Sequence, residues 1–424
     1  MKDLLIHNKS YLLLWISTLT TRLGNALTIT VLMYYIGTQS HSPMMISLVL
    51  FAQMMPMVLI GIFAGSVADR LSKFAVMIGS ETFQLMTVSA MIFNLNHPWI
   101  LIFLIFLQGL GAAFYGPAKT AYLSNIVDKE ELPVAIGLSQ GITQATDLIG
   151  PPIAGTLLLL IQSGQILMID VLTFILSGLF IFCSSRFVKN HEEIKDQMTN
   201  EHLWTTMING LKKVSNIHSL RFLITIVFVL MLVAGVFNAT SVAIELQIFH
   251  VTGFQYGLLE SVSGIGAIAG SLTGPLLVKH IHPGKFIIVS GIILGFWMTL
   301  ICLVQFFYPI SGIVLLFVWV SGLGLLNSCL NIPVSSLFLV ITPMKLRGRA
   351  VGILQMFSFL GAIIGLLTGG ALSIVVGVIQ VTIIAGVLMV SVSVGLIKTR
   401  GYEKLIHIHR SKVEEIKNDA SSVK

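Results

Sequence analysis

Charge is scarce in this chain. Lys and Arg number 25 and Asp and Glu 18 among 424 residues, so 10% are charged while 55% are hydrophobic. A soluble domain carries roughly 25% charged residues, and a soluble fold this apolar would expose large adhesive patches. The shortage excludes an ordinary soluble enzyme or binding module. Cysteine is scarce as well. Cys183, Cys302 and Cys329 all stand in apolar segments. An odd number without paired spacing gives neither a disulfide framework nor a metal site, and the three read as small core hydrophobes. Also missing are an HExxH helix, a Walker lysine loop, a Ser/His/acid set and a soluble nucleotide-binding domain. No catalytic residue, metal or cofactor is expected, and an ion gradient is the natural energy source. The net charge of +7 raises nucleic acid as a partner. The basic residues fall in short clusters between apolar runs, so no nucleic acid is expected.

What fills the chain is long apolar runs. A membrane-crossing helix needs about 20 apolar residues. Scanned that way, the sequence offers twelve spans, near 11–36, 44–68, 74–95, 99–126, 133–160, 164–187, 219–247, 255–279, 285–307, 310–341, 347–375 and 377–398. The junction of the last two is the least defined. The opening MKDLLIHNKSYLLLWISTLTT reads as the first span rather than a cleaved leader, because Arg22 interrupts it and no small-residue cleavage site follows. With the N-terminus inside, the inner segments hold every Lys and Arg except Arg22 and Lys119, which lie within spans. That bias predicts twelve spans with both termini cytoplasmic. The fold class is therefore an all-α membrane protein. It divides into a six-helix bundle at 1–187, a charged linker at 188–218, a second bundle at 219–398 and a solvated tail at 399–424. Within the linker region, 202–220 has the pattern of a short amphipathic surface helix.

The halves are related in sequence. AIGLSQGITQATDLIGPPIAGTLL (135–158) aligns with AVGILQMFSFLGAIIGLLTGGALS (350–373), matching Gly137 with Gly352, Gln140 with Gln355, Gly150 with Gly365 and Gly155 with Gly370. Upstream, Gly109-Leu110-Gly111 matches Gly322-Leu323-Gly324 at a slightly different offset. Parallel repeats of six spans are one transporter plan, with the substrate site between them near the midplane.

Between spans 2 and 3 stands GSVADRLSK (65–73). It resembles the signature loop of the major facilitator superfamily in Gly65, Asp69, Arg70 and Lys73, with Ser72 where the family usually has Gly. GPPIAG (150–155) resembles the span-5 element of the superfamily's antiporters, through Gly150, Pro151 and Gly155. GPAKTAYLSNIVDKEELPVAIGLSQ (116–140) is similar to the macrolide-efflux and enterobactin-exporter branch. The resemblance implies a cytoplasmic gate latched by the signature loop, with Glu81 as a gate partner. It implies that spans 1 and 5 are neighbours and that spans 1, 4, 7 and 10 line a cavity. Cavity candidates on those spans are Thr21, Arg22, Asn25, Gln108, Tyr115, Asn238, Asn327 and Asn331. Asn327 and Asn331 are four apart and share a face.

Asp147 lies near the middle of span 5, where a charge costs on the order of 2.5–3.5 kcal/mol on insertion scales. It must be protonated, paired or facing water. Arg22 lies at similar depth in span 1. The two form a pair, or share a polar cluster with Asn25 and Gln144, and two readings stay open: a proton-carrying Asp147 that releases Arg22, or a permanent ion pair that fixes helix packing. Asp170, Glu245 and Glu260 lie near outer span ends, where they either simply reach water or take a coupling role. Gly264-Ile265-Gly266 with Gly270 imitates a dinucleotide motif, but no strand precedes it. The spacing that matters is small-xxx-small: Gly266, Gly270 and Gly274 on span 8, Gly361, Gly365 and Gly369 on span 11, and Gly61 and Gly65 on span 2. The resemblance implies that these faces meet between the halves.

The expectation is a secondary transporter of the bacterial cell membrane, multi-pass and monomeric. It would export an amphiphilic small molecule, drug or metabolite, by proton antiport. A dedicated siderophore or metabolite exporter is the alternative within transport. A lipid flippase-like protein or a sensor of degenerate transporter fold is the rival outside it.

Overall fold

The computed structural model describes residues 8–40, 42–128, 130–187, 217–278, 283–342 and 347–397. Among the described residues every regular element is helical. The helices are α1 (Lys9–Ser40), α2 (Pro43–Arg70), α3 (Lys73–Phe93), α4 (Pro98–Ile126), α5 (Leu132–Leu160), α6 (Ser163–Ser185), α7 (His218–Ala243), α8 (Gly253–Val278), α9 (Pro283–Thr299), α10 (Ile301–Ser311), α11 (Val314–Ile341), α12 (Arg347–Val376) and α13 (Val378–Ile397). A π-helical turn, Ile244–Ile248, ends α7. The linker at 188–216 and the tail from 398 lie outside the described residues.

Eight of these helices are long and apolar enough to cross a membrane, and nine if α9 and α10, bent by 45°, form one span. Helices α1, α5 and α8 fall outside that group. Threonine, asparagine and Arg22 dilute α1; Gln140, Gln144 and Asp147 dilute α5; glycine and serine dilute α8. Large apolar side chains face outward in helical steps, as Leu172, Ile175, Leu176 and Leu179 do on α6. In water such a surface would aggregate; in lipid it is the expected exterior.

The breaks have local causes. Gly312 (φ +56°) separates α10 from α11, and Gly377 (φ +101°) separates α12 from α13. Both lie in the left-handed region that an L side chain adopts at a cost. Gly377 thus settles the poorly defined last junction. Pro151 and Pro152 sit inside α5, where neighbouring helices make such residues tolerable in a membrane protein.

The chain forms two compact units, Met1–Met198 with Val242–Ser261, and Thr199–Ser241 with Val262–Lys424. In the first, α1 packs against α5 and α6, α2 against α4, and α3 against α4 and α6. In the second, α9 packs against α11 and α13. Trp297 and Trp319 clasp α9 to α11, each indole N–H donating to the other's carbonyl at 2.9 Å.

The glycine faces require a correction. A Cβ on Gly266 or Gly270 would meet the carbonyls of Ser321 or Leu325 on α11. One on Gly361 or Gly365 would meet those of Phe228 or Leu232 on α7. Both faces therefore hold helices of the second unit together, because backbone approaches backbone there and leaves no room for a side chain. In the first unit, Gly155 meets the Gly253 carbonyl at 2.5 Å from the place of its missing Cβ, and Gly257 meets that of Pro151.

The internal repeat also gains a register. Gly150 lets α5 approach α1 at Ala26, and Gly365 lets α12 approach α7 at Leu232. Gly109 faces α2 at Pro56, while its counterpart facing α8 is Gly324, at Ser263. The match of Gly109 with Gly322 is thus corrected: Gly109 pairs with Gly324, at the same offset as Gly150 with Gly365. Gly322 instead leaves room for the Trp297 indole.

Candidate functional site

The polar residues of the first unit fall into a buried seam and an open charged face. The seam runs between α1 and α6. Ser10 and Ser184 exchange hydroxyl-to-carbonyl bonds of 3.2 and 2.9 Å. The Ser17 and Ser177 hydroxyls meet at 2.7 Å. Gly24 stands directly against the Asp170 carboxyl and the Thr173 hydroxyl. Each step moves seven residues forward on α1 and seven back on α6, the register of two antiparallel helices that keep one seam in contact.

Asp170 is 0% exposed. Thr28 donates to its Oδ2 at 2.5 Å and Thr173 to its Oδ1 at 2.9 Å. The expectation that Asp170 reaches water is corrected, since its position on α6 points it into the seam. Glu245 is corrected likewise. It is 4% exposed, and its Oε2 is buried without a hydrogen-bond partner. Glu260 and Tyr256 stand within its electrostatic range.

Glu81 also departs from expectation. It is 2% exposed. Thr21 donates to its Oε1 at 3.1 Å, and Ser177 donates to the same oxygen at 3.1 Å. The carboxyl is thus tied to α1 and α6 inside the bundle, not turned toward the signature loop, because residue 81 lies more than two turns into α3. Thr21 is buried, and its hydroxyl donates to Glu81. Lys73 opens α3, next to Ser72, which caps the helix by accepting from the Ala75 N–H at 3.5 Å. Gly65, Asp69 and Arg70 fall in the last turns of α2, where side chains lie outside the described set.

The open face is built by α1, α4 and α5. Tyr11 donates to the Ala135 carbonyl at 3.2 Å, and Gly150 packs on Ala26 at 2.5 Å from the place of its missing Cβ. Both contacts join residues 124 apart, so α1 and α5 run parallel in one fixed register. That register sets Asp147 level with residues 22 and 23 of α1. Arg22 and Asp147 are both exposed, and the Arg22 charge acts on Asp147. Two exposed polar side chains at mid-helix cannot face lipid cheaply, so a shared polar space suits them both. Gln144, one turn before Asp147, is exposed too.

On α4, Gln108 is buried and donates to Asn25 Oδ1 at 2.9 Å. Asn25 is thus paired with Gln108, within one turn of Arg22. Lower on α4 stand Tyr115 and Lys119, both half-buried and both within electrostatic range of Arg22. In the second unit Asn238 is exposed on α7. Asn331 donates to Asn327 Oδ1 at 3.0 Å, so the pair shares a face of α11.

Sequence reading missed the seam and gave Lys119 no role. The signal for the seam was present in the seven-residue spacing of Ser10, Ser17 and Gly24, mirrored by Asp170, Ser177 and Ser184.

Comparison with known proteins agrees with this architecture. The profile of the family described as transmembrane secretion effector matches residues 5–415. The chain is similar to the MFS-type transporter YfiS of Bacillus subtilis, 24% identical over 390 residues, covering 89% of this chain and 90% of that one. It is similar to macrolide efflux protein A of Streptococcus pyogenes, at 22% identity with 74% and 76% covered. It is also similar to the staphyloferrin A transporter of Staphylococcus aureus, at 21% identity with 72% and 75% covered. Among solved structures, the nucleoside transporter NupG superposes with a TM-score of 0.69 at 16% identity, covering 93% of this chain and 98% of that one. A multi-pass protein of the plasma membrane, the chain belongs to the transmembrane secretion effector family of the major facilitator superfamily.

Proposed function

We propose that this transporter exports an amphiphilic small molecule by proton antiport, through alternating access between two six-span halves. The observation that carries the reading is the level placement of Arg22 and Asp147, both exposed on one face at mid-helix. A carboxylate that faces a guanidinium across a polar space can take up a proton and so change the charge offered to substrate. In this reading the halves are 1–187 and 219–398, joined by 188–218, with all twelve spans crossing and both termini cytoplasmic. Asp69, Arg70 and Lys73 latch the inner gate. Gly150, Pro151 and Gly155 shape α5 where it must flex and seal. Asn25, Gln108, Tyr115, Asn238, Asn327 and Asn331 supply polar groups to the cavity.

The test is transport in proteoliposomes under an imposed pH gradient, comparing wild type with Asp147→Asn. Loss of gradient-driven flux in the variant is expected, with counterflow exchange retained. Full gradient-driven activity in Asp147→Asn would remove the coupling role.

A second reading is supported by the similarity to a staphyloferrin A transporter: one dedicated metabolite in place of a range of drugs. Loss of secretion of a single metabolite on deletion, without a change in drug sensitivity, would favour it.

A further inference from the structure

Arg22 and Lys119 are two cations in mutual electrostatic range near the membrane interior. In a low-dielectric setting two like charges require a counter-charge. The acids near them are limited among the described residues. Asp147 lies within electrostatic range of Arg22. Glu81 stands within range of Tyr115, but Thr21 and Ser177 already occupy it. One open carboxylate therefore stands against two cations.

The neutral groups here lean the same way. The Trp15 indole N–H is buried without a hydrogen-bond partner, while the buried Tyr115 hydroxyl stands beside the Ser17 and Thr18 hydroxyls. Tyr115 lies one helical turn before Lys119 and so shares its face. Trp15 and Tyr115 pack against the same buried cluster, which includes Leu14 of α1 and Ala118 of α4. The antiparallel contacts Asn25–Gln108 and Asn8–Ile126 place Trp15 level with Lys119. Buried polar groups ordinarily find partners. Here an indole N–H, which can only donate, stands with two cations, and what would satisfy them together is an acceptor carrying negative charge.

We propose that Trp15, Arg22 and Lys119 form an anion subsite on the first unit, which takes the carboxylate or phosphate end of an acidic amphiphile. The subsite deepens the export reading by naming the substrate's charge, and it rests on that reading only for the claim that the bound molecule is moved. Asp147 sits at the subsite's rim, where its own negative charge opposes the anion. One chemical group serves two sources: a soluble acidic metabolite, or the headgroup of an acidic lipid.

The test uses the purified full chain in nanodiscs of neutral phosphatidylcholine. Two dansyl-labelled amphiphiles of equal chain length are compared, one ending in carboxylate and one in trimethylammonium. The carboxylate probe is expected to bind about tenfold tighter or more, the size of a charge-assisted contact. Lys119→Gln and Arg22→Gln should each reduce its affinity about tenfold, while Asp147→Asn strengthens it. Variants are accepted only if their melting and size-exclusion profiles match wild type; where Arg22→Gln misfolds, Lys119→Gln carries the test. Competition separates the sources. Displacement by citrate in solution marks a soluble acid, and displacement by phosphatidylglycerol in the disc marks a lipid; either supports the subsite. Equal affinity for both probes, preference for the ammonium probe, or unaltered carboxylate binding in folded Lys119→Gln would overturn it. Flux of the same probes in proteoliposomes keeps the two claims apart. Carboxylate preference without gradient-driven flux would sink antiport and leave the subsite. Gradient-driven flux of the ammonium probe alone would do the reverse.

Discussion

Gly24 of α1 lies so close to Asp170 of α6 that a Cβ on Gly24 would occupy the space of the carboxyl oxygen. The carboxyl is fixed there by Thr28 and Thr173, so the glycine and the acid form one packing unit. The consequence is that span 1 carries no acid of its own at this depth but borrows one from span 6.

Gly24→Ala should therefore destabilise the first unit. The new methyl must displace a carboxyl held by two hydroxyls, an overpacking cost of about 1–3 kcal/mol. A thermal melt in detergent should show a clear fall. A melting temperature equal to wild type would mean that Asp170 moves aside without penalty.

Glu81 gives a second test. Thr21 and Ser177 both donate to it, and each removal exposes the carboxyl to part of its desolvation penalty. Thr21→Val and Ser177→Ala should each lose about 1–3 kcal/mol. The two act on one oxygen, so a double-mutant cycle should show coupling of about 0.5 kcal/mol or more. Strict additivity would argue that the hydroxyls do not share the carboxyl.

The second unit offers an internal comparison. Gly365 on α12 meets the Leu232 carbonyl, whereas nothing lies within 4 Å of a Cβ on Gly352. Gly365→Ala forces two helix backbones apart and should cost about 1–3 kcal/mol. Gly352→Ala removes backbone freedom only from the unfolded chain and should be neutral or gain about 0.4–1 kcal/mol. Equal melting shifts for the two would contradict the close α7–α12 approach.

Much of the fold was legible because the bilayer demands long apolar helices, and runs of the needed length cannot hide. The depth of Asp147 and Arg22 could be counted along their spans, and the structure sets them level. Direction around a helix was harder to read. Asp170, Glu245 and Glu81 were placed correctly along their helices, yet their burial depends on which neighbour each face meets. The glycine faces failed for the same reason: small-xxx-small spacing announces close packing without naming the partner helix. Gly266 meets α11, and Gly361 meets α7. Lys119 drew no role because it entered only as an exception to the loop charge count, inside a span. Only the Trp15 donor left without a partner singles it out.

The two aspartates of α5 and α6 should separate stability from transport. Asp170 is fully buried and accepts from two threonines. Asp170→Ala leaves the Thr28 hydroxyl without its acceptor, while Thr173 keeps the backbone carbonyl of residue 170, and it opens a small void, so a loss of about 2–4 kcal/mol is expected. Asp147 is exposed, level with Arg22 on the neighbouring helix and within its electrostatic range. Asp147→Asn removes a screened charge interaction and should move stability by no more than about 1 kcal/mol. The signature is a crossed pattern in paired measurements on each variant. Asp170→Ala lowers the melting temperature, and its flux falls in proportion to the protein that remains folded. Asp147→Asn melts like wild type while its response to a pH gradient changes. If Asp147→Asn instead melted as early as Asp170→Ala, its carboxylate would be a structural partner of Arg22 and the proton-carrying role would fall.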